Sequence, residues 1–562
     1  MNASNPRLAG NAGRERICTI IVPALIFASG LVNFILYHDI SLLRPEALLA
    51  CGVVIGAGLL LGLILSWLPS DRLRATLLCA MILVFLDLQF QAIGFLYRLV
   101  SVDEYRMLRY LVLFAGLAAI FVVLISLSKH LSAILSAVFA VLLASTIAIP
   151  PEPARFDFEA GQPSAADQRV PRADLPPVLH LVLDGHIGIG GIPIDIEGGN
   201  ELKHRIKAFY LKNGFRLFGR AFSEYMLTPA AMTMLLNGDR AVKLVEISGT
   251  ENTRWALQEN LYFSSYMDKG YNLRIYETEY VRYCGATERR PESCYTYSTS
   301  GLRLMDGLGL SISEKAEFIA GGYFSRSAFY VMLFLGYDHV RVFLKAQGIA
   351  DLPRGNRRSY IFHSLGTLAT LRQLKTDIVT GPAAGRMFFA HLMLPHQPYF
   401  LTPDCRVRNF DDWYNRKLYQ YFLEKVSSSQ FREEAYQRYF EQTTCLLTVL
   451  DDLFDAMRDQ GIFESATIIV HGDHGSRITI HDPVFESADR LTPRDMIDAY
   501  SALFAIRIPG VAAGYDTRMR SVQDLFGEYV LDLPPKKIRN RVYLAPTGRY
   551  GVRPYDMPPI AN

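Results

Sequence analysis

Residues 466–477 have the sequence ATIIVHGDHGSR. The apolar run 467–470 ends at a turn flanked by glycines, and a run of this length predicts a buried strand of a parallel sheet. Ligands of open α/β sheets bind beyond the carboxyl ends of the strands, where this prediction puts Asp473 and His474. A carboxylate beside an imidazole suits a divalent metal such as zinc or manganese. A polar turn without a ligand is the alternative, because Asp and Gly are common in turns.

The length and composition indicate a membrane protein with more than one domain. The chain has 562 residues, too many for one ordinary core. Half of the residues are hydrophobic and the mean hydropathy is +0.14, which is high for a wholly soluble protein. The net charge of +3 gives no support for a nucleic-acid partner.

Five segments near the N-terminus are long enough to cross a bilayer, because a span takes about 20 mostly apolar residues. They are 17–37, 47–67, 75–97, 107–127 and 131–149. Asp87 interrupts the third segment, and a carboxylate at that depth usually faces the interior of the helix bundle. Lys and Arg near the span ends are in modest excess on the side of the N-terminus, which favours a cytoplasmic N-terminus. Five crossings then put everything after Ile149 in a periplasm-like space.

The cysteines agree with that location. Four of the seven lie beyond the spans, an even number in an oxidising compartment: Cys284, Cys294, Cys405 and Cys445. Cys284 and Cys294 close a short loop, so we expect these two to pair and Cys405 to pair with Cys445. Four cysteines permit three connectivities, and four free thiols are the alternative.

The rest of the chain predicts a linker followed by an α/β domain. Residues 150–177 are rich in proline and polar residues, which indicates an extended linker. From 178 onward, amphipathic helical patterns alternate with short β-rich runs, which predicts a doubly wound, mainly parallel sheet with helices on both faces. We therefore expect a five-helix transmembrane domain over 1–149 and an extracytoplasmic α/β domain over 178–562.

Two residues at the ends of these elements are candidates for chemistry beside Asp473. Asp184 directly follows the first strand, so its carboxylate can meet that of Asp473 at one metal; a helix cap or turn residue is the alternative. Thr228 precedes Pro229 at the start of an apolar helical run, where backbone N–H groups favour an anion. Next to a metal, its hydroxyl can attack phosphorus. A simple capping threonine is the other interpretation.

His396 lies between two prolines in the turn 395–398, PHQP, after an apolar strand. From a strand end it can stabilise a transferred group or protonate a leaving group, with a structural histidine as the alternative. His391, inside the strand, is interpreted as structural. The glycine-rich segment 184–199 is not a dinucleotide fingerprint, because its glycine spacing does not fit.

In order along the chain, four motifs resemble the alkaline phosphatase/sulfatase superfamily. They are Asp184 after the first strand, Thr228 ten positions before Gly238, the turn 395–398 and GDHG at 472–475. The membrane-anchored branch is the closer match, with phosphoethanolamine and phosphoglycerol transferases that have five spans before an extracytoplasmic catalytic domain.

That resemblance implies a role for each matching residue. Asp184, Thr228, Asp473 and His474 would be metal ligands, Thr228 would be the nucleophile, and His396 would lie near the transferred phosphoryl group. The transferases usually have Glu at the first ligand position, where this chain has Asp184. Formylglycine sulfatases have Cys or Ser at the position of Thr228, followed by Pro-Ser-Arg. Threonine cannot become formylglycine, so ordinary sulfate-ester hydrolysis is disfavoured.

The resemblance implies a membrane-anchored, metal-dependent phosphotransferase in a bacterial inner membrane, with its catalytic domain facing the periplasm. It would move a phospholipid head group, through a phospho-threonine, onto an envelope glycan or lipid. One alternative is a hydrolase of the same kind, a phosphodiesterase or phosphatase with water as acceptor. Another is a non-catalytic relative that binds envelope glycans or lipids.

Overall fold

A computed structural model describes most of the chain and divides it into two compact units. One unit is Met1–Arg155 with Met305–Tyr360, and the other is Phe156–Leu304 with Ile361–Asn562. The described residues are 6–90, 130–151, 171–238, 244–247, 254–257, 259–278, 280–285, 290–297, 310–324, 363–408, 429–535, 540–544 and 553–560, with isolated positions between 122 and 350.

The bounds of the described elements are as follows. The helices are α1 (Pro6–Tyr37), α2 (Pro45–Ser66), α3 (Asp71–Phe90), α4 (Leu131–Ala148), α5 (Gly199–Lys212), α6 (Thr228–Leu236), α7 (Leu261–Asp268), α8 (Ile312–Phe324), α9 (His363–Thr380), α10 (Ser429–Asp459), α11 (Pro493–Tyr500) and α12 (Val522–Tyr529). The strands are β1 (Val178–Leu183), β2 (Arg216–Phe222), β3 (Leu244–Ile247), β4 (Arg254–Leu257), β5 (Asn272–Thr278), β6 (Val281–Arg282), β7 (Ser293–Tyr297), β8 (Arg386–Leu392), β9 (Thr467–His471), β10 (Phe504–Arg507), β11 (Gly514–Ser521), β12 (Arg541–Leu544) and β13 (Arg553–Asp556).

Three helices of the described chain are long and apolar enough to cross a membrane. They are Gly13–Tyr37, Pro45–Ser66 and Leu131–Ala148, which coincide with the first, second and fifth predicted spans. Helix α3 covers most of the third predicted span. The fourth, 107–127, lies almost wholly outside the described residues, as does most of the predicted linker. The count of five spans therefore stays a prediction.

Helices α1 and α2 pack with their backbones in direct contact. A Cβ added at Gly62 would lie 2.0 Å from the carbonyl oxygen of Ile20, and one at Gly58 would lie 2.5 Å from the Cα of Ala24. Small residues let helices approach this closely, which is a common basis of helix association in membranes. The glycines of α2 are therefore part of its packing face.

Helix α8 comes late in the sequence but packs in the same unit as α1 and α2. Ser327, just after it, donates a hydrogen bond of 2.8 Å to Asp87 of α3. The amide of Gln89 donates to the hydroxyl of Tyr323 at 3.3 Å. Asp87 is buried, and Ser327 lies 240 residues further along the chain from it.

The second unit is built on an eight-stranded sheet with the order β11-β2-β10-β9-β1-β8-β5-β7. Every neighbouring pair is parallel except those of β10, which is antiparallel to both β9 and β2. The prediction of a mainly parallel α/β sheet is confirmed. Strand β1 lies between β8 and β9 in register with both, so the carboxyl ends of these three strands meet at one edge.

Both faces of the sheet are covered. All six residues of β1 are buried, which requires packing on both sides because alternate side chains point to opposite faces. Val178 and Val182 share one core cluster with residues of α6, α7 and α12, such as Met232 and Phe526. The strand is therefore apolar throughout, as its sequence predicted.

The glycine-rich segment after β1 owes its composition to close packing. A Cβ at Gly191 would lie 2.4 Å from the hydroxyl of Ser501, and one at Gly188 would lie 2.8 Å from the same oxygen. Gly198, just before α5, has a φ of +82°, which favours glycine. The segment is a turn that packs tightly against Ser501, the residue that follows α11.

Both expected disulfide pairs are present. Cys284 is bonded to Cys294, and Cys405 is bonded to Cys445. The pairing of Cys284 with Cys294, predicted from their short loop, is confirmed, and so is the pairing of the remaining two.

Candidate active site

Two carboxylates face each other at the edge where β1 and β9 end. The N–H of Asp184 donates to the carbonyl of Leu392 at 2.9 Å, which continues the pairing of β1 with β8 by one residue. Oδ1 of Asp473 accepts hydrogen bonds from the N–H groups of Gly185 and His474, each at 3.0 Å. Gly185 has a φ of +71°, which a residue with a side chain adopts only at a cost. The loop after β1 therefore holds the carboxylate that follows β9.

Two imidazoles close around Asp184. Nε2 of His474 lies 3.3 Å from Oδ1 of Asp184 and 3.4 Å from Oδ2 of Asp473. Nε2 of His391 lies 3.4 Å from the other oxygen of Asp184. Burial by itself raises the pKa of Asp184, whereas the imidazoles around it, that of His396 first, lower that pKa well below its ordinary value when they carry a proton.

The hydroxyl of Thr228 points into this cluster and does not cap a helix. Thr228 is the first residue of α6, its N-cap position is Leu227, and no side chain caps the helix. Oγ1 of Thr228 donates to Oδ2 of Asp184 at 3.3 Å and lies 3.4 Å from Nε2 of His474. The capping interpretation is wrong, and the hydroxyl lies beside both a carboxylate and an imidazole.

The cluster has the donor set of a divalent-cation site. Asp184, His391 and Asp473 each offer one atom within 4.8 Å of the others, and all three residues are buried. Among the described residues, Oδ1 of Asp184, Oδ2 of Asp473 and Nε2 of His391 are buried without a hydrogen-bond partner. Buried groups left unpaired in this way are costly, and two carboxylates with two imidazoles suit zinc or manganese. The residues present therefore fit the metal.

The hydrogen bonds of His474 support the same conclusion. Its Nδ1 lies 2.7 Å from the carbonyl of Gly475, so Nδ1 has the proton and donates it. In the neutral ring, Nε2 then directs a lone pair at two carboxylates, an arrangement that a cation between them would stabilise. A metal-binding histidine usually donates its other N–H to a carbonyl or carboxylate in this way.

His391 was interpreted from the sequence as structural, yet it lies within this cluster. The sequence does contain a signal for it, because it is the one polar residue in the otherwise apolar run 387–394, MFFAHLML. A histidine in a wholly buried strand needs a polar partner. Which partner it has depends on the register of β8 with β1.

His396 is close to the cluster and is held by Arg477. Its Nδ1 lies 2.6 Å from the carbonyl of Gln397, and its Nε2 lies 2.8 Å from Nη2 of Arg477. A guanidinium only donates, so Nε2 accepts and the ring is neutral. Burial, and then the charge of Arg477, lower the pKa of His396, although Asp184 acts in the opposite direction. In this arrangement Nε2, which is 3.8 Å from Asp184, has no proton to give to a leaving group.

Arg477 is held in place through its backbone. Its N–H donates to the carbonyl of Asp498 at 2.9 Å, and the N–H of Gly475 donates to the carbonyl of Ala499 at 2.8 Å. These two hydrogen bonds fix the turn after β9 to α11. Arg477 has a φ of +56°, which is rare for a residue with a side chain. A strained residue of this kind, with its guanidinium at a histidine of the candidate site, is a candidate for contact with an anionic substrate.

The comparisons with known proteins gave matches among solved structures. The sequence matches no protein-family model and no curated protein. The chain is similar to the C-terminal periplasmic domain of EcEptC from Escherichia coli, with 12% identity, 69% of this chain and 94% of that chain covered, and a TM-score of 0.34. It is also similar to the phosphonate monoester hydrolase of Agrobacterium radiobacter, with 14% identity, 66% and 80% covered, and a TM-score of 0.35. A third similar structure is BT1596, a 2-O GAG sulfatase, with 11% identity, 66% and 77% covered, and a TM-score of 0.37.

What this chain does is inferred from its own residues.

Proposed function

We propose that this chain is a membrane-anchored, sulfatase-like phosphotransferase that depends on a divalent metal and uses Thr228 as its nucleophile. The observation that supports this most directly is the position of the Thr228 hydroxyl. It lies 3.3 Å from Asp184 and 3.4 Å from His474, among buried polar atoms that lack a hydrogen-bond partner in the described chain. A threonine with only a structural role has no need of such surroundings.

Asp184, Asp473 and His474 would hold the metal, with Thr228 as a further ligand. His391 is added to this set by its place in the cluster. A bound divalent cation would lower the pKa of the adjacent hydroxyl and neutralise charge on the phosphoryl oxygens. The donor set suits zinc or manganese.

In the first half-reaction, Oγ1 of Thr228 would attack the phosphorus of a phospholipid head group. The bond between Oγ1 and phosphorus forms, and the bond from phosphorus to the diacylglycerol oxygen breaks. That oxygen keeps the electron pair and takes up a proton, while the threonine proton is lost to solvent or a base. In the second half-reaction, an acceptor hydroxyl attacks phosphorus, the Oγ1–phosphorus bond breaks, and Thr228 regains a proton.

His396 and Arg477 would act on the phosphoryl group. The guanidinium of Arg477 supplies a fixed positive charge near the site, and phosphate oxygens are better acceptors for it than a neutral imidazole. When a phosphate takes that contact, Nε2 of His396 is released and can accept the proton of the incoming hydroxyl. This gives His396 the role of a base in the second half-reaction, not that of an acid with a resident proton.

The membrane helices and the disulfides support the proposed location. An anchor keeps the enzyme at the surface where a lipid donor resides, and the two disulfides indicate an oxidising compartment. We therefore propose a multi-pass protein of a bacterial inner membrane whose α/β domain faces the periplasm. The donor would be a phospholipid with a phosphoethanolamine or phosphoglycerol head group, and the acceptor an envelope glycan or lipid.

The test is the mass of the full-length protein in lipid nanodiscs that contain phosphatidylethanolamine or phosphatidylglycerol. We expect a head-group phosphate adduct on the peptide that contains Thr228, lost in Thr228→Ala and kept at a lower rate in Thr228→Ser. An adduct of unchanged amount in Thr228→Ala would contradict the proposed nucleophile.

Acceptor dependence separates the two enzyme reactions. A transferase accumulates the adduct until an acceptor glycan or lipid is added, whereas a hydrolase releases the head-group phosphate continuously into buffer. A folded wild-type protein that binds neither zinc nor manganese and forms no adduct would favour the non-catalytic alternative.

A further inference from the structure

A buried carboxylate, that of Glu277, lies beside the first disulfide. Glu277, in β5, is buried, and its Oε2 accepts hydrogen bonds from the N–H groups of Tyr283 and Cys284 at 2.5 and 3.0 Å. Its other oxygen accepts from the hydroxyl of Thr296 at 3.0 Å. Cys284 is bonded to Cys294, so these two sulfurs are not available to a metal and Glu277 is occupied with the loop. The carboxylate and the disulfide therefore fix the backbone on either side of Tyr283.

The buried side chain of Tyr283 extends from this loop to His391. Its ring is fully buried and packs edge-on against Phe389, with the ring centroids 5.2 Å apart. Its hydroxyl oxygen lies 3.4 Å from Nδ1 of His391. His391 is also held from its backbone side, because the hydroxyl of Tyr297 donates to its carbonyl oxygen at 2.7 Å. Tyr283 thus contacts the ring nitrogen of His391 that points away from Asp184.

The position of the proton on the imidazole of His391 decides whether His391 can bind a metal. Nε2 of His391 faces Asp184, so it can bind a cation only when its proton is absent. The proton of the neutral ring is then on Nδ1, and a buried N–H needs an acceptor. The hydroxyl oxygen of Tyr283 is in the position to be that acceptor. Contacts of this kind orient a metal-binding histidine and select its tautomer.

We propose that Tyr283 is a positioning residue that holds His391 in its metal-binding tautomer, and that the Cys284–Cys294 disulfide and Glu277 hold Tyr283 in turn. This inference rests on the proposed metal site of the phosphotransferase. The affinity for the metal then depends on the Cys284–Cys294 disulfide, although neither cysteine is a metal ligand.

The experiment measures metal affinity in the full-length protein, freed of metal by a chelator and titrated with Zn²⁺ against a chromophoric competitor. Tyr283→Phe keeps the ring and removes only the hydroxyl, so we expect it to fold and to bind Zn²⁺ about 10- to 100-fold more weakly. Tyr276→Phe is the matched control. It removes a tyrosine hydroxyl that bonds Asp377 in the same unit, and we expect the affinity of the wild type.

The disulfide is tested in the same assay. The double variant Cys284→Ser with Cys294→Ser should lose affinity by a factor similar to that of Tyr283→Phe. When all three substitutions are combined, the loss should not exceed the larger of the two, because the disulfide acts through Tyr283. Losses that multiply would overturn the link between the disulfide and Tyr283.

A second measurement separates positioning from a general loss of structure. The visible absorption bands of bound Co²⁺ report the ligands and their geometry, so they should change in Tyr283→Phe and stay unchanged in Tyr276→Phe. Wild-type affinity and an unchanged Co²⁺ spectrum in Tyr283→Phe would overturn the proposal. A wild-type protein that binds no metal would instead refute the proposed function, and with it the premise of this inference.

Discussion

Because Arg477 has a left-handed backbone, two substitutions can distinguish the effect of its guanidinium from the effect of its backbone strain. With a φ of +56°, Arg477 lies in a region that costs a residue with a Cβ about 1–2 kcal/mol relative to glycine. Arg477→Gly removes the guanidinium and relieves that strain, whereas Arg477→Ala removes the guanidinium and keeps the strain. The two variants therefore differ in backbone cost and share the same loss of charge.

The expected magnitudes follow from the contacts. Glycine loses more chain entropy on folding, by about 0.5–1 kcal/mol, so Arg477→Gly should be more stable than Arg477→Ala by about 0.5–1 kcal/mol. The guanidinium makes a hydrogen bond of 2.8 Å to His396, which a phosphate would take over. A hydrogen bond to a charged group contributes about 1.5–3 kcal/mol, so kcat/KM should fall about 10- to 150-fold in both variants.

The assay combines thermal unfolding of the full-length protein with head-group transfer measured at several pH values. We expect a Tm for Arg477→Gly roughly 1 °C above that of Arg477→Ala, together with equal losses of kcat/KM. Removing the guanidinium should also raise the pKa of His396, because Arg477 lowers it. The acid side of the pH profile should then move to higher pH, since more His396 is protonated at a given pH.

Two results would refute this reasoning. Equal Tm values for the glycine and alanine variants would mean that the left-handed backbone is not costly at this position. Wild-type kcat/KM in both variants would mean that the guanidinium has no part in the reaction.

Three further predictions concern the helices, a buried acid and the metal. Gly62→Leu should separate α1 from α2 and lower the Tm. Gly56→Leu is the control and should leave the Tm unchanged, because no atom of another element lies within 4 Å of its added Cβ. Equal Tm values for the two variants would contradict the proposed packing. Burial raises the pKa of Glu277 to about 7, above its unfolded value, so the contribution of Glu277 to stability should be greatest at low pH and fall by up to about 3 kcal/mol as the pH rises through 7. Glu277→Gln should abolish that pH dependence, measured as Tm against pH, and a pH dependence that persists in this variant would be due to another group. Glu277→Ala should lower the free energy of unfolding by about 2–4 kcal/mol, because the N–H groups of Tyr283 and Cys284 lose their acceptor. Removing the metal with a chelator should lower the free energy of unfolding by about 3 kcal/mol at a metal concentration 100-fold above Kd, and an unchanged Tm would argue against a resident metal.

The sequence by itself determined the elements and the edge of the sheet at which the candidate site lies. Short apolar runs that end in Asp184 and Asp473 predict parallel strands, and parallel strands bring their carboxyl ends to one edge. The long apolar segments predict membrane helices, because bilayer thickness fixes the length of a span. The short loop between Cys284 and Cys294 favoured one of the three possible connectivities of the four cysteines, and the structure has that connectivity. Each of these inferences depends on a pattern within a short stretch of chain.

Only the tertiary structure decided which distant side chains meet. Tyr283 and His391 are 108 residues apart in the sequence, and His396 and Arg477 are 81 residues apart. Their contacts depend on strand register and on the conformation of single turns, and a shift of one residue in a strand turns each side chain to the opposite face. No local pattern records that register, because it results from the packing of the whole sheet. The pairing of β8 with β1 places His391 beside Asp184, which its position in the sequence does not show.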